Sequence, residues 1–351
     1  MLAGISLYNF RNHGALALDC GGAKNIIFCG ANGAGKTAAL EAISLLCGIG
    51  NFRGAALGDM MRKGAGAGDG FAVHADLGDG TEIRISWNGG AHKEIRIDGD
   101  KSSLTALAKI MPMVWLTPRD DRLFCESASD RRAFLDRLVG AFDLLHTGRT
   151  ARLAKLLSER AFAIKNNGGN SWLDPIEVNL AKTAMSVAAA RVKYSAELNY
   201  FMPPHLQITT DGTLEQKIIT GAPAAGIEIE YRQYLAENRF LENDRQIING
   251  AHKSDFGMFN SDAGMPVSQT STGQQKSALV SLVVAHAKLM RAKTGKYPVV
   301  LLDEADSHLD AAARKNIFAQ FGECGAQVFA TALSREIFLE IPDTKFVELD
   351  S

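Results

Sequence analysis

The first third of the chain alternates apolar and polar positions with a period of two. This period is typical of strands in a sheet with one solvated face. Gly78-Asp79-Gly80 separates two of these segments and predicts a hairpin turn. The glycine-rich stretch Gly64–Gly70 predicts a loop. The predicted strands are Ile5–Phe10, Ala15–Leu18, Phe71–Leu77, Glu82–Trp87 and Glu94–Ile97.

The middle of the chain, from Asp120 to Asn199, changes to apolar positions spaced three or four residues apart, which predicts helices. A break is predicted at Asn166–Asn170, followed by a long helix over Leu180–Leu198 and a strand over Leu206–Thr210. The predicted core includes two apolar stripes and two tryptophans: Phe134, Leu135, Leu138 and Phe142; Leu153, Leu156, Leu157 and Phe162; Trp115 and Trp172.

The last third alternates a long helix, Ser277–Lys293, with short apolar runs at Val299–Leu302 and Gln327–Ala332. Short runs without alternation are typical of parallel strands covered on both faces. We therefore expect an α/β core with parallel strands.

A phosphate-binding loop is predicted between the apolar strand Asn25–Cys29 and a helix over Thr37–Leu46. The spacing is that of the P-loop, in which glycines let backbone N–H groups face an anion at a helix start. Lys36 would reach the outer phosphates of a nucleotide, and Thr37 would offer its hydroxyl to Mg²⁺. The predicted binding residues are Gly30, Ala31, Asn32, Gly33, Ala34, Gly35, Lys36 and Thr37.

Two adjacent carboxylates end the apolar run Val299–Leu302. Ligands of open α/β sheets lie beyond the carboxyl ends of the strands. Asp303 would hold Mg²⁺, and Glu304 would orient or deprotonate an attacking water. Lys36, Asp303 and Glu304 are the predicted catalytic residues, and Thr37 and Asp303 the predicted metal ligands.

Three further segments resemble ABC-type ATPases. Ser271–Lys276 is similar to their signature motif, Ser307–Asp310 to their D-loop, and Gln327–Thr331 to the strand before their switch residue. Thr331 stands near the position that is histidine in transporters. A long helical insert separates the phosphate loop from the signature, and this split resembles SMC-type heads.

Within the SMC-type heads, the chain most resembles the RecF family over essentially its whole length. Four segments carry the resemblance: Leu7–His13, Pro118–Asp121, Asp130–Asp136 and Gly250–Asp255, the last departing from the family pattern at Ala251, Lys253 and Ser254. The implied fold is an ABC/SMC-type head, a P-loop sheet with N-terminal antiparallel strands plus a mainly helical second lobe. Residues 1–118 and 296–351 would form the ATPase lobe, and 119–295 the helical lobe with the signature.

The resemblance also implies a function. Two chains would sandwich ATP and Mg²⁺, with Ser271, Gly273 and Gln274 of one chain closing over the nucleotide of the other. Slow hydrolysis would release this homodimer from duplex DNA at single-strand gaps or junctions. The expected role is DNA repair and replication in the response to DNA damage, including the SOS response, with RecR and RecO assisting RecA loading.

Charge limits where nucleic acid could bind, because the formal net charge is only -1. Any DNA contact must use a local basic face. The candidate contacts are Arg119, Arg122, Arg131 and Arg132, with Arg137 beside them. Each of these arginines could equally belong to a solvated helix surface.

Two other functions stay open: a transporter ATPase subunit, and a RecF-like phage-defence or regulatory ATPase without a role in recombination. Five scattered cysteines without a CxxC pair argue against a disulfide framework or a zinc site. Neither an export signal nor a membrane span is evident, so we expect a cytoplasmic protein with no membrane partner.

Overall fold

The computed structural model describes residues 1–48, 52–64, 66, 69–239, 248–308 and 311–349. The chain divides into two compact units, Met1–Arg122 with Thr272–Ser351, and Leu123–Ser271. The described helices include none that is long and apolar enough to cross a membrane.

The N-terminal part of the first unit is an antiparallel sheet with the strand order β2-β1-β4-β5-β6-β7. Alternate side chains of these strands are buried, as at Val73 and Ala75 or at Ile83 and Ile85. The predicted bounds of β4, β5 and β6 are confirmed. The strands are β1 (Leu2–Phe10), β2 (His13–Asp19), β4 (Phe71–Leu77), β5 (Glu82–Trp87), β6 (Glu94–Ile97) and β7 (Asp100–Lys101).

The second sheet of this unit is parallel throughout and has the order β14-β3-β13-β12-β8. Four of its strands, β3, β8, β12 and β13, are fully buried, as is typical of parallel strands covered on both faces. The strands are β3 (Asn25–Cys29), β8 (Met113–Leu116), β12 (Val299–Leu302), β13 (Gln327–Ala332) and β14 (Thr344–Glu348). The helices of the unit are α1 (Lys36–Ser44), α2 (Leu57–Met60), α3 (Leu104–Ile110), α9 (Thr272–Thr294), α10 (Ala305–His308) and α11 (Ala311–Glu323).

One buried side chain connects the two sheets. Gln327 at the start of β13 accepts a hydrogen bond from the Leu2 backbone N–H at 2.7 Å. Its amide nitrogen donates to the carbonyl oxygens of Leu2, at 2.9 Å, and Ala23, at 3.2 Å. The first strand of one sheet is therefore hydrogen-bonded to a strand from the last third of the chain.

The boundary of the helical lobe differs from the sequence-based division, which placed it at 119–295. Helix α9 belongs to the first unit because it packs against β8 and α11. The contiguous second unit consequently ends before the signature helix begins.

The second unit is mainly helical, as the spacing of apolar residues in the middle of the chain predicts. A small antiparallel sheet of order β11-β10-β9 accompanies the helices. The helices are α4 (Ala128–Gly140), α5 (His146–Lys165), α6 (Asn170–Asn199), α7 (Thr213–Ile219) and α8 (Ala224–Glu237), and the strands are β9 (Leu206–Asp211), β10 (Asp255–Asn260) and β11 (Met265–Pro266).

Two predicted core residues of this unit are exposed. Phe162 is 60% and Trp172 46% exposed, and their rings meet edge to face beside the connection between α5 and α6. Phe162 lies five residues after Leu157, which is more than one helical turn, so it leaves the buried stripe. Trp115 is buried, as predicted.

Ion pairs lie inside the second unit. Glu177 on α6 and Arg160 on α5 are each 1% exposed, and the Arg160 Nε atom lies 2.9 Å from the Glu177 carboxylate. Arg239 bonds to the same carboxylate. Glu177 therefore pairs with two guanidinium groups, one of which also pairs with Asp174, and its hydrogen bonds offset the cost of burial.

Replacing Glu177 by Gln should lower the free energy of unfolding by about 3 kcal/mol, because the buried Arg160 guanidinium loses the charge of Glu177, whereas Arg239 keeps its pair with Asp174. The urea midpoint of the native protein and the variant measures this. The matched control is Glu159→Gln, whose exposed pair with Lys155 spans 3.6 Å. The control should change stability by less than about 1 kcal/mol. Equal effects of the two substitutions would contradict the assigned role.

Candidate nucleotide-binding site

The predicted phosphate loop connects β3 to α1 in the parallel sheet. Gly33 and Gly35 have φ angles of 92°, which residues with a Cβ atom rarely adopt. The Lys36 ammonium donates to the carbonyl oxygens of Gly30, at 2.5 Å, and Ala31, at 2.9 Å. The loop therefore curls around the lysine side chain at the start of α1, which is the geometry that an anion site at a helix N-terminus requires.

Asp303, just after β12, lies beside this loop. Its Oδ1 atom accepts hydrogen bonds from the hydroxyl of Thr37, at 3.0 Å, and from that of Thr331, at 2.8 Å. Strands β3, β13 and β12 are neighbours in the sheet, so their carboxyl ends bring these three side chains together. A hydroxyl and a carboxylate oxygen at this separation are suitable ligands for Mg²⁺.

Glu304 follows in a left-handed conformation with φ of 52°. Its backbone N–H donates to the Thr331 hydroxyl at 2.7 Å, and this bond helps to hold the conformation. The Glu304 side chain is exposed and lines the cavity described below, whereas Asp303 is buried. Non-glycine residues in this conformation are concentrated at functional sites.

The turn between β1 and β2 lies against the phosphate loop, a contact that the sequence analysis assigned to no residue. The Asn12 amide donates to the Gly33 carbonyl oxygen at 3.2 Å, and His13 Nε2 lies 3.2 Å from that of Gly35. Arg11 forms two bonds of 2.6 Å with the buried Glu41 carboxylate on α1. The hydrogen bond to Glu41 raises the pKa of Arg11 despite its partial burial.

A Cβ atom on Gly35 would lie 2.3 Å from His13 Nε2, so the third loop glycine also makes room for this turn. Asn9 near the end of β1 and Arg11 in the turn both have positive φ. Such strain in non-glycine residues cannot be read from the sequence, although the run Asn9–His13 is rich in the polar residues that functional turns use.

A cavity of about 1040 Å³ opens over the loop. Its lining includes the predicted residues Asn32, Gly33, Gly35, Lys36, Thr37, Asp303 and Glu304, together with Arg11 and Asn12 from the turn. Arg53, Arg62 and Lys63, which the sequence analysis did not single out, also line it. Four basic side chains besides Lys36 therefore surround a space of the size that a nucleotide needs.

The signature residues begin helix α9. Ser271, Gly273 and Gln274 are exposed at the N-terminal end of this 23-residue helix. Gly273 and Gln274 belong to the same unit as the phosphate loop, yet the described cavity lining does not include them. Leu309 and Asp310 of the predicted D-loop lie outside the described residues.

The four candidate DNA contacts divide into two kinds. Arg119 and Arg122 are exposed. Arg131 forms bonds of 2.8 and 2.7 Å with the Asp255 carboxylate, and Arg132 donates to the Ser254 carbonyl oxygen at 2.7 Å. These internal bonds explain the presence of Arg131 and Arg132 without any nucleic acid.

The fold and the site together define an ABC/SMC-type ATPase head: a parallel P-loop sheet, an antiparallel N-terminal sheet, and paired carboxylates beside the loop. The family described as the RecF/RecN/SMC N-terminal domain matches residues 1–349. The protein named DNA replication and repair protein RecF from Mesorhizobium japonicum is 36% identical over 352 residues, which cover 95% of this chain and 92% of the relative. The protein of the same name from Brucella suis biovar 1 is 35% identical and covers 95% and 90%. The chain belongs to the RecF family.

Solved structures share the fold. The recombination mediator protein RecF-ATPrS in the RecFOR pathway superposes with a TM-score of 0.82 at 22% identity, covering 100% of this chain and 96% of that one. An Smc head domain from Pyrococcus furiosus gives a TM-score of 0.51 at 15% identity, covering 99% and 94%. The predicted fold class is thereby confirmed.

The rate at which a thiol reagent modifies Cys29 tests whether this residue, just before the phosphate loop, is buried. Burial raises the pKa of Cys29, and likewise that of Cys20, to about 11. Because a raised pKa lowers the thiolate fraction at any lower pH, both should react slowly at about pH 8 with a thiol reagent such as Ellman's reagent. Cys125 is exposed, so Cys125→Ser should remove the fast phase.

The slow phase should accelerate about tenfold as the pH rises by about one unit, because the thiolate fraction rises in proportion. Peptide mapping of the labelled chain identifies the modified residue. Labelling of Cys29 as fast as that of Cys125 at about pH 8 would show that the β3 strand end is open.

Proposed function

We propose that this protein binds and hydrolyses ATP, and that ATP joins two copies of the chain into a dimer that acts on DNA during repair and replication. The names of its relatives, DNA replication and repair proteins, support a repair role rather than phage defence. The ATP named with the similar RecF structures supports the choice of nucleotide.

The loop residues would hold the triphosphate through their backbone N–H groups, while the Lys36 ammonium moves from the loop carbonyls to the β- and γ-phosphates. Thr37 and Asp303 fit Mg²⁺ because their oxygen atoms already lie 3.0 Å apart. Bound there, Mg²⁺ would neutralise phosphate charge.

Glu304 would accept the proton of the attacking water, since its side chain lines the cavity next to Asp303. The Thr331 hydroxyl donates to Asp303 and accepts from the Glu304 N–H, so it would fix both acids at once. We expect a weak ATPase, because a site completed only in the dimer hydrolyses ATP only while two chains stay together.

The dimer proposal rests on where the signature residues lie. Its residues are exposed at a helix N-terminus, where backbone N–H groups and the helix dipole attract anions. Because Gly273 and Gln274 do not belong to the described cavity lining of their own unit, we infer that they reach the γ-phosphate bound by a second chain. Ser271 would add its hydroxyl there.

The proposed dimer would bind duplex DNA at gaps or junctions in the cytoplasm. The RecFOR pathway named with the similar structures supports RecR and RecO as partners. RecA loading and participation in the SOS response follow as parts of the same proposal. A strain lacking the gene should therefore lose viability after DNA damage, whereas the defence alternative predicts unchanged survival.

ATP should convert the wild type from monomer to dimer in light scattering, whereas Lys36→Arg and Ser271→Arg stay monomeric. Neither variant should hydrolyse ATP alone. Their equimolar mixture should recover up to about half of wild-type turnover, because only heterodimers form and each contains one intact site of two. Recovery requires that Lys36 and Ser271 act from different chains.

Ser186→Arg is the matched control, since Ser186 is an exposed helical serine in the second unit. It should retain ATP-dependent dimerisation. A mixture with no recovered turnover would place both residues in one chain's site, and a wild type that stays monomeric at saturating ATP would exclude the sandwich.

Thr331→Val should lower kcat on the order of tenfold or more while KM for ATP changes little, because its bonds position the two acids and not the ground-state nucleotide. Thr331→Ser retains the hydroxyl and should stay within about twofold of the wild type. Steady-state ATP hydrolysis measures both. A Val variant with wild-type kcat would remove Thr331 from the mechanism.

A further inference from the structure

We propose that the outer face of the antiparallel sheet binds the phosphate backbone of nucleic acid through a row of basic side chains. We call His74, Arg84, Arg96 and Lys101 the basic row. This inference rests on the proposed action on DNA and assigns a surface to it. The basic row contains none of the four arginines that the sequence suggested as DNA contacts.

The register of the strands creates the basic row. His74 lies opposite Arg84, Arg84 opposite Arg96, and Arg96 opposite Lys101. Directly opposite residues have their side chains on the same face of the sheet, about 5 Å apart. The four side chains therefore form a continuous line across β4, β5, β6 and β7.

Like charges opposite each other destabilise a sheet. This cost occurs twice in succession, between Arg84 and Arg96 and between Arg96 and Lys101. The packing of the described sheet does not require positive charges at these positions, because they lie on the solvated face. A bound anion between the cations would remove the repulsion.

Carboxylates on the same face lie beside two members of the basic row, and the other two remain available to bind an anion. Arg96 pairs with Glu94 at 2.8 Å. His74 Nε2 lies 3.8 Å from the carboxylates of Asp76 and Glu82. Within the described part of the chain, however, the side chains of Arg84 and Lys101 form neither a hydrogen bond nor an ion pair.

The shape and chemistry of this face favour phosphate as its ligand over a segment of another protein. A cavity of about 540 Å³ lies here, lined by His74, Glu82, Arg84, Ser86, Glu94, Arg96 and Gly99. These described lining residues include no apolar side chain, whereas protein interfaces are centred on buried aromatic and apolar anchors. Phosphate contacts need only cations and hydrogen-bond donors arranged along a line.

The test measures binding of a fluorescent DNA duplex with a single-strand gap by anisotropy, at several salt concentrations with ATP present. Arg84→Gln combined with Lys101→Gln should weaken binding on the order of tenfold at low salt. The slope of log affinity against log salt should fall by about two, because each substitution leaves one phosphate without its neutralising cation.

Substitution of the neighbouring acids should act in the opposite direction. Glu82→Gln and Glu94→Gln should each strengthen DNA binding, because they remove a carboxylate that competes with phosphate for the basic row. A purely structural role of this face would not predict opposite signs for its acidic and basic residues. ATP-dependent dimerisation, measured in parallel, should be unchanged in all these variants.

The matched control is Arg232→Gln, an exposed arginine on α8 that should leave the salt slope unchanged. A wild type that binds DNA with the same affinity and slope as the Arg84/Lys101 variant would overturn this inference alone. A wild type that binds no DNA would overturn the proposed function as well. Variants that keep DNA binding but lose binding of labelled polyglutamate would identify the face as a protein-docking surface, against the proposal.

Discussion

One carboxylate oxygen of Asp303 accepts hydrogen bonds from Thr37 on α1 and Thr331 on β13, while Asp303 itself follows β12. The start of α1, the end of β12 and the neighbouring strand β13 are fixed relative to one another through this atom. The constraint behind it is the sheet order, which makes β3, β13 and β12 neighbours although they come from opposite ends of the chain. Any change in that order would separate the residues that the proposed chemistry needs.

The sequence predicted best what local physics determines. Strands β4, β5 and β6 were located to the residue, because alternation and a glycine turn define both their faces and their ends. The phosphate loop was likewise recognisable, because its glycines and lysine have fixed spacing. Strand β8 was missed, since four apolar residues carry no period by which they can be distinguished from a buried helix segment. Strand β14 was missed because only two of its five residues, Phe346 and Val347, are apolar, which is too few to show a pattern.

Contacts between distant segments could not be predicted. The turn containing Asn12 and His13 lies on the phosphate loop through carbonyl oxygens, which are the same in every sequence. The roles of Arg131 and Arg132 depended on Asp255 and Ser254, more than a hundred positions away. In the same way, the basic row exists only because of strand register, since Arg84 and Lys101 are not neighbours along the chain.

The bond between Gln327 and Leu2 has a consequence for biosynthesis. As the polypeptide emerges from the ribosome, β3 has neither of its neighbours in the sheet, since β13 and β14 are translated last. The segment from Leu123 to Ser271 is contiguous, so its helices can fold during translation. The parallel sheet can form only after its last strands have been translated. During that interval the apolar strands of the ATPase lobe are exposed to nascent-chain chaperones, and a stalled ribosome would leave a folded helical unit attached to an unfinished nucleotide site.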